Sequence, residues 1–113
     1  IHGIDASIVD IAATVRPGLA IVDGIVAMEG DGPIMGRSRP VGFIGMSTDL
    51  VAMDATCARV IGVDPVKLAY LQHAGQFLGH VDPSRIDQRG ERPARYQGDF
   101  DLIPLRQGLR LEA

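Results

Sequence analysis

Two segments of the sequence concentrate side chains that could do chemistry: "DGIVAMEGDGPIMG" at residues 23–36 and "STDLVAMDA" at residues 47–55. Each follows an apolar run, so each is predicted to lie at the end of a buried strand, where α/β proteins collect functional groups. If the two strands are adjacent, the segments face one crevice. Their carboxylates are Asp23, Glu29, Asp31, Asp49 and Asp54.

Carboxylates gathered in one crevice suit either a hard cation or proton transfer. Oxygen ligands of this kind are typical of Mg²⁺, Ca²⁺ and Mn²⁺, although the spacing does not match an EF-hand loop and no particular metal is indicated. A carboxylate whose pKa is raised by its neighbours can instead act as a general acid or base. The predicted metal ligands are Asp23, Asp31, Asp49 and Asp54. The predicted proton carriers are Asp23, Glu29 and Asp49.

Small residues in the same segments would let a ligand approach the backbone closely. The predicted ligand contacts are Gly30, Gly32, Ser47 and Thr48, with Arg37 holding an anionic substrate. A phosphate-binding loop is disfavoured, because Pro33 lacks an amide donor, no helix pattern follows and no Gly-Lys-Ser/Thr occurs.

The competing interpretation of both segments is purely structural. Asp-Gly and Gly-Asp-Gly-Pro are turn formers, because glycine accepts positive φ and aspartate bonds to nearby backbone N–H groups. In this interpretation Asp49 only caps a helix, and Arg37 and Arg39 are solvated surface residues. The functional alternative is that these two arginines neutralise the neighbouring carboxylates or hold an anionic substrate.

Hydrophobic spacing predicts the elements that position these residues. Apolar residues at helical spacing indicate a helix that ends before Pro17-Gly18 and buries Ile4, Ile8, Ile11, Ala12 and Val15. Short apolar runs at 19–22 and 41–46 suit strands buried on both faces, as in a parallel sheet, with a loop at 24–40. Helices are predicted at 50–61 and from Asp64-Pro65 to about residue 78. We therefore expect one α/β domain over 1–113, with a small, mostly parallel sheet flanked by helices and an irregular C-terminal segment at 93–113.

Composition excludes several classes of protein. The 113 residues carry a net charge of −3 with a pI near 5.5, which argues against nucleic-acid binding. Cys57 is the single cysteine, so this chain alone holds no disulfide and no cysteine-ligated cluster. No apolar run is long enough to span a bilayer, and no signal segment opens the sequence, so no membrane insertion is expected and a cytoplasmic location is predicted.

The remaining polar residues favour ordinary structural roles. Cys57 falls on the apolar side of its predicted helix, and His73 and His80 lack the spacing of a zinc hydrolase. The C-terminal arginines alternate with acidic residues and are expected to form a mixed-sign surface. These arginines are Arg85, Arg89, Arg92 and Arg95.

The two segments, taken in order, resemble the domain of unknown function 362 family. The resemblance rests on "LAIVDGIVAMEGDGPIMG" and "VGFIGMSTDLVAMDATCARVIGVDP" and covers about residues 4–92. It implies an α/β domain often encoded beside ferredoxin-like modules with [4Fe–4S] clusters, which here would lie outside this chain. The family domain is longer at its N-terminus, so we expect a C-terminal portion whose sheet is completed by that missing half or by self-association.

These observations lead to two functional hypotheses. The first is a carboxylate- and glycine-rich site that binds a metal or small ligand in a redox-associated enzyme. The second is a non-catalytic module that docks an iron–sulfur protein, such as a ferredoxin-like partner, through its arginine-rich end.

Overall fold

The structure is a computed structural model that describes residues 3–112. Helix α1 (Ile4–Val15) is followed by its C-cap Arg16, whose backbone is left-handed at φ 47°. The helix thus ends before Pro17-Gly18, as the sequence predicts. Its burial differs from the prediction. The expected core residues Ile4, Ile11 and Val15 are 64–80% exposed, whereas Val9 is the buried residue of the helix.

Strands β1 (Ala20–Asp31) and β2 (Met35–Ser47) form a two-stranded antiparallel hairpin. The predicted mostly parallel sheet is therefore wrong. Only residues 32–34 connect the strands, and a parallel pair would need a crossover of a dozen or more residues. The glycine-rich segment expected to be a loop is itself strand, because its residues pair in register from Ala20↔Ser47 to Asp31↔Met35.

The ladder is interrupted once, between Gly24 and Val26. Gly42 lies on the opposite strand at this point with φ +91°, a conformation that favours glycine. The irregularity also accommodates Pro40, which has no N–H for the ladder. Asp23 lies just before the interruption, on the strand rather than in a loop.

Helix α2 (Leu50–Val60) follows the hairpin and carries most of the core. A short 3₁₀ turn at Pro65–Lys67 and helix α3 (Ala69–Ala74) replace the single helix expected up to residue 78. The core cluster comprises Val9, Val51, Ala55, Ala58, Val63, Leu71 and Ala74. No helix of residues 3–112 is long and apolar enough to cross a membrane.

The C-terminal segment lies against the end of α2 and the distal half of the hairpin. It contains short 3₁₀ turns at Pro93–Arg95 and Pro104–Leu109. The backbone N–H of Gly98 donates to Val60 at 2.9 Å, and Phe100 is 3% exposed. The treatment of residues 1–113 as one domain stays a prediction.

Candidate functional site

Glu29 is the centre of an ion-pair network rather than an open carboxylate. It lies on β1 opposite Arg37 and accepts from Nη1 of Arg39 at 2.8 Å and from the backbone N–H of Asp101 at 3.0 Å. The bond from Arg39, followed by that from Asp101, holds the pKa of Glu29 below its ordinary value. Glu29 is therefore ionised at neutral pH, and its oxygens anchor the C-terminal segment.

The two arginines beside Glu29 complete this anchor. Arg39 also donates to the carbonyl of Asp99 at 2.9 Å, and its guanidinium lies 4.5 Å from the centre of the Phe100 ring. Arg37 donates to Asp101 Oδ2 at 3.0 Å while remaining 69% exposed. The interpretation in which these arginines neutralise nearby carboxylates is confirmed, whereas the role of Arg37 in ligand binding stays a prediction.

The other predicted residues of the first segment lie on the strands and turn of the hairpin. Asp23 is exposed, and its Oδ1 accepts from the N–H of Ile25 at 3.0 Å. The N–H of Gly30 donates to the carbonyl of Asp101 at 2.7 Å, so it faces protein rather than a ligand. Asp31 and Gly32 are exposed at the end of β1 and in the turn.

Ser47, Thr48 and Asp49 form a hydrogen-bonded corner between β2 and α2. Ser47 Oγ accepts from the N–H of Asp49 at 3.0 Å, and Asp49 Oδ1 caps α2 by accepting from the N–H of Ala52 at 2.9 Å. The structural role expected for Asp49 is thus present. Thr48 is exposed.

Asp49 has a second role that the sequence did not reveal. Its Oδ2 accepts from the backbone N–H of His80 at 3.0 Å and lies 2.9 Å from Nδ1 of the same residue. Partial burial acts to raise the pKa of Asp49, but the bonds from Ala52 and His80 outweigh it and leave that pKa below its ordinary value. Gly79 makes this approach possible, because a Cβ there would overlap the carboxylate of Asp49.

Asp54 of α2 has a different hydrogen-bond partner, Tyr70 of α3. The Tyr70 hydroxyl donates to Asp54 Oδ2 at 3.3 Å. Burial of the carboxyl group raises the pKa of Asp54, and the bond from Tyr70 only partly offsets this. Burial and the charge of Asp54 in turn raise the pKa of Tyr70.

The structure does not bring the predicted metal ligands together. Within residues 3–112, no three His, Cys, Asp or Glu side chains are grouped so that they could hold a metal ion. Asp23, Asp31, Asp49 and Asp54 each lie in a separate hydrogen-bonding environment or at the surface. Their roles as ligands stay predictions, which would need further donors from outside the described residues.

The side chains around α2 line an open groove, here called the α2 groove. Its main part, about 580 Å³, lies between β2, α2 and the segment at residues 88–96. An adjoining part of about 460 Å³ reaches Ser47 and Thr48. The residues that shape the main part include Phe43, Gly45, Met53, Thr56, Arg89 and Tyr96. The predicted contacts Ser47 and Thr48 therefore border a cavity of ligand size.

Sequence reasoning missed the contact of His80 with Asp49. It left the role of Arg39 open. His80 is 31 positions from Asp49, and nothing in their spacing indicates a contact. The better signal is Gly79, since a glycine directly before a histidine permits the close backbone approach that the pair needs.

Comparison with known proteins adds a family. Over 61 residues the chain is 38% identical to the thylakoid-associated protein sll1697 of Synechocystis sp. (strain ATCC 27184 / PCC 6803 / Kazusa). The match covers 54% of this chain and 19% of that relative, so the chain spans far less than the relative's full length. No solved structure matches the chain. The profile of the family described as domain of unknown function (DUF362) matches residues 1–59, which is more than half of the sequence, and the chain belongs to this family.

Proposed function

We propose that this chain provides a small-ligand site, located in the α2 groove, to a redox-associated enzyme. The observation that carries the proposal is the groove itself. Its volume of about 580 Å³ falls within the range of roughly 300–1,000 Å³ that is usual for ligand pockets. The redox association rests on the family resemblance, and any [4Fe–4S] cluster would lie outside this chain, whose only cysteine is Cys57.

The lining of the α2 groove suits a ligand with a flat apolar body and a polar end. Phe43, Met53 and Tyr96 supply apolar surface, while Thr56 and Arg89 supply polar groups. The rings of Phe43 and Tyr96 lie 5.6 Å apart, close enough to form a continuous aromatic wall.

An apolar dye with an anionic group tests this proposal. The fluorescence of 8-anilinonaphthalene-1-sulfonate would be titrated against the wild type and Thr56→Phe, because Thr56 borders both parts of the groove. Thr56→Phe should fill the groove and weaken dye binding at least tenfold. Thr14→Phe, on the exposed surface of α1, is the matched control and should bind like the wild type. Equal dye binding by Thr56→Phe and wild type would contradict the proposed site.

The metal part of the hypothesis has its own test. If a divalent ion completes a site at Asp23 or Asp49 with donors from outside the described residues, Mg²⁺ or Mn²⁺ should raise the melting temperature of the full-length protein. Asp23→Asn should abolish that rise. The same melting temperature with and without these ions would remove the metal from the proposal.

A second candidate is docking against the remainder of the longer family domain. Ile21 and Met46 are paired across the hairpin and are 64% and 69% exposed, and Ile44 is 64% exposed. Such a row of large apolar side chains is usual at interfaces. The match to only 19% of the relative's length supports a partner supplied by the rest of a longer chain.

If this row docks against the rest of a longer chain, a charged residue in it should lower the melting temperature only of the longer protein. Ile44→Lys should leave the melting temperature of the 113-residue chain nearly unchanged, since surface substitutions usually alter stability by less than about 0.5 kcal/mol. In the full-length protein it should lower that temperature clearly. Leu105→Lys, which changes a side chain that is 85% exposed elsewhere, is the control. An equally small effect of Ile44→Lys in both lengths would refute docking at this face.

The arginine-rich end offers less support for a ferredoxin-like partner. Arg89 pairs with Asp87 and Arg95 pairs with Glu91, each at 2.7 Å, so two of its charges are neutralised locally. Docking through this end would depend on Arg85 and Arg92. The double variant Arg85→Glu/Arg92→Glu should then weaken capture of a ferredoxin-like protein, and unchanged capture would exclude this mode.

The compartment is proposed to be the cytoplasm, with association to an internal membrane as the competing location. The name of the cyanobacterial relative states an association with thylakoids. Fractionation of cells that express the full-length protein distinguishes the two locations.

A further inference from the structure

Helix α1 directs its large apolar side chains away from the core. They recur at intervals of four, three and four residues, which places them along one side of the helix, and their exposed fractions range from 43% to 80%. We call this set the α1 stripe; its members are Ile4, Ile8, Ile11 and Val15. The side that faces the core carries Val9 and three half-buried alanines instead.

This burial is the reverse of what an amphipathic helix normally shows. Such a helix packs its large apolar side chains on a neighbour and leaves polar ones outside. The main neighbour of α1 among residues 3–112 is α3, and Val9 and Leu71 belong to one buried cluster. A continuous row of exposed apolar side chains, unlike a single one, marks an interaction surface. Within the described part of the chain, the α1 stripe has no element that covers it.

The spacing of the α1 stripe points to a helix as the covering element. Intervals of four and three residues are those of the a and d positions of a heptad, where the side chains of one helix insert between those of another. Such a seam is narrower than the apolar face with which a helix normally packs on a globular core. The positions beside the seam hold small or polar residues, namely Asp5, Ser7, Ala12 and Thr14. A second helix can bury the seam while leaving these polar groups in water.

A second copy of the chain is a poor occupant of the α1 stripe. Helix α1 has 12 residues and is therefore about 18 Å long. Its stripe offers four large side chains, whereas a stable interface between separate proteins uses about 20–30 residues a side. The charged residues of α1 are Asp5 and Asp10, with no lysine or arginine in the helix. Two copies would therefore bring like charges together, which disfavours their pairing.

A helix of the same polypeptide escapes this size limit. Linkage makes its docking intramolecular and raises its effective concentration to about the millimolar range. The match to only 19% of the length of the cyanobacterial relative leaves room for such a helix in a longer chain. We propose that the α1 stripe is the docking site of an amphipathic helix that belongs to the same polypeptide, lies outside these 113 residues and carries basic residues beside its apolar seam.

This proposal shares the premise of a longer chain with the docking candidate at Ile44, but it concerns a different face. Ile44 lies on β2, whereas the stripe lies on α1. The effect of Ile44→Lys and the labelling of α1 described next are therefore separate measurements, and either proposal can fail without the other.

Thiol labelling of the full-length protein measures whether the α1 stripe is covered. Ile11→Cys and Val15→Cys place a thiol on the stripe, and Asp10→Cys places one at an exposed position of the same helix away from it. The rate of reaction with N-ethylmaleimide at pH 7 is read from the mass of the peptide that carries each cysteine, which keeps Cys57 separate. Because thiol reactivity requires exposure, the two stripe thiols should react at least about tenfold more slowly than the thiol at position 10. Equal rates at the three positions would overturn the proposal.

Dilution identifies the source of the covering element. Protection by a helix of the same polypeptide does not depend on protein concentration, so the stripe thiols should stay protected over a dilution of about 100-fold. Protection that disappears on dilution would mean that a second copy covers the stripe, and it would refute the proposal.

Photo-crosslinking tests whether the covering element is a helix. The photoreactive residue p-azidophenylalanine replaces Ile11 in one sample and Val15 in another, two positions about 6 Å apart along the helix axis. The two captured residues, located by mass spectrometry, should lie three or four positions apart in the same polypeptide. An extended segment rises about 3.3 Å per residue, so capture at positions about two apart would show a strand and contradict the helix.

Discussion

Gly79→Ala tests the contact between the Asp49 corner and the loop that carries His80. A Cβ at position 79 would overlap the carboxylate of Asp49 and come within 2.8 Å of Cβ of Val51. The carboxylate cannot simply move aside, because Oδ1 is bonded to Ala52 and Oδ2 to His80. Either the loop or the carboxylate must give up hydrogen bonds.

The cost can be worked out for each case. If the loop moves, Asp49 loses the bonds from His80, and hydrogen bonds to a charged group contribute about 1.5–3 kcal/mol. If the carboxylate moves, α2 loses its cap, which costs about 1 kcal/mol. The free energy of unfolding should therefore fall by about 1–3 kcal/mol, which for a domain of this size lowers the melting temperature by on the order of 10 °C.

Thermal unfolding followed by circular dichroism measures this loss, with Gly108→Ala as the matched control. A Cβ at Gly108 would meet nothing within 4 Å, and a glycine-to-alanine change at a compatible site is neutral or slightly stabilising. If Gly79→Ala melts within about 1 °C of Gly108→Ala, Gly79 is not needed for the contact, and the packing described for Asp49 and His80 is incorrect.

Three further predictions concern other parts of the chain. The pKa of Glu29 in the folded chain is lowered from 4.5, so the ionised side chain stabilises the fold above that pH. The difference in melting temperature between wild type and Glu29→Gln should therefore be present at pH 7 and shrink as the pH falls below 4.5. A difference that stays constant with pH would contradict the ion-pair network around Glu29. Leu71→Ala should cost about 2–5 kcal/mol in urea unfolding, since Leu71 is 1% exposed, whereas Leu105→Ala, at 85% exposure, should cost almost nothing. Burial and the nearby charge of Asp54 raise the pKa of the Cys57 thiol. Its reaction with Ellman's reagent at pH 8 should therefore be far slower in the native chain than in urea. Similar rates in both would argue against a buried thiol beside an acidic group.

Local sequence signals predicted helices α1 and α2 and the family, but neither the sheet nor the break before α3. Helix α1 ends at the expected Pro17-Gly18, and Asp49 caps α2 as expected, because caps and breakers act over a few residues. The run Leu19-Ala-Ile-Val22 could not distinguish a buried parallel strand from the start of a long hairpin strand. The hairpin continues through residues whose glycines and carboxylates are unfavourable for strands, and pairing across the hairpin outweighs that local preference.

Burial was the least predictable property of the elements. The apolar positions of α1 have helical spacing, but the residue that packs into the core is Val9, and Ile4 and Ile11 are exposed. Spacing identifies an apolar face without saying which neighbour covers it. Long-range pairs such as Asp49 with His80, or Glu29 with Asp101, are equally invisible to local patterns, because nothing in a helix or strand period connects positions so far apart.

The acidic residues that first indicated a metal site are mostly engaged in holding the chain together. Asp23 accepts from Ile25, Glu29 from Arg39 and Asp49 from Ala52. A carboxylate whose lone pairs already meet protein donors gains less from a cation, because binding the cation would first break those bonds.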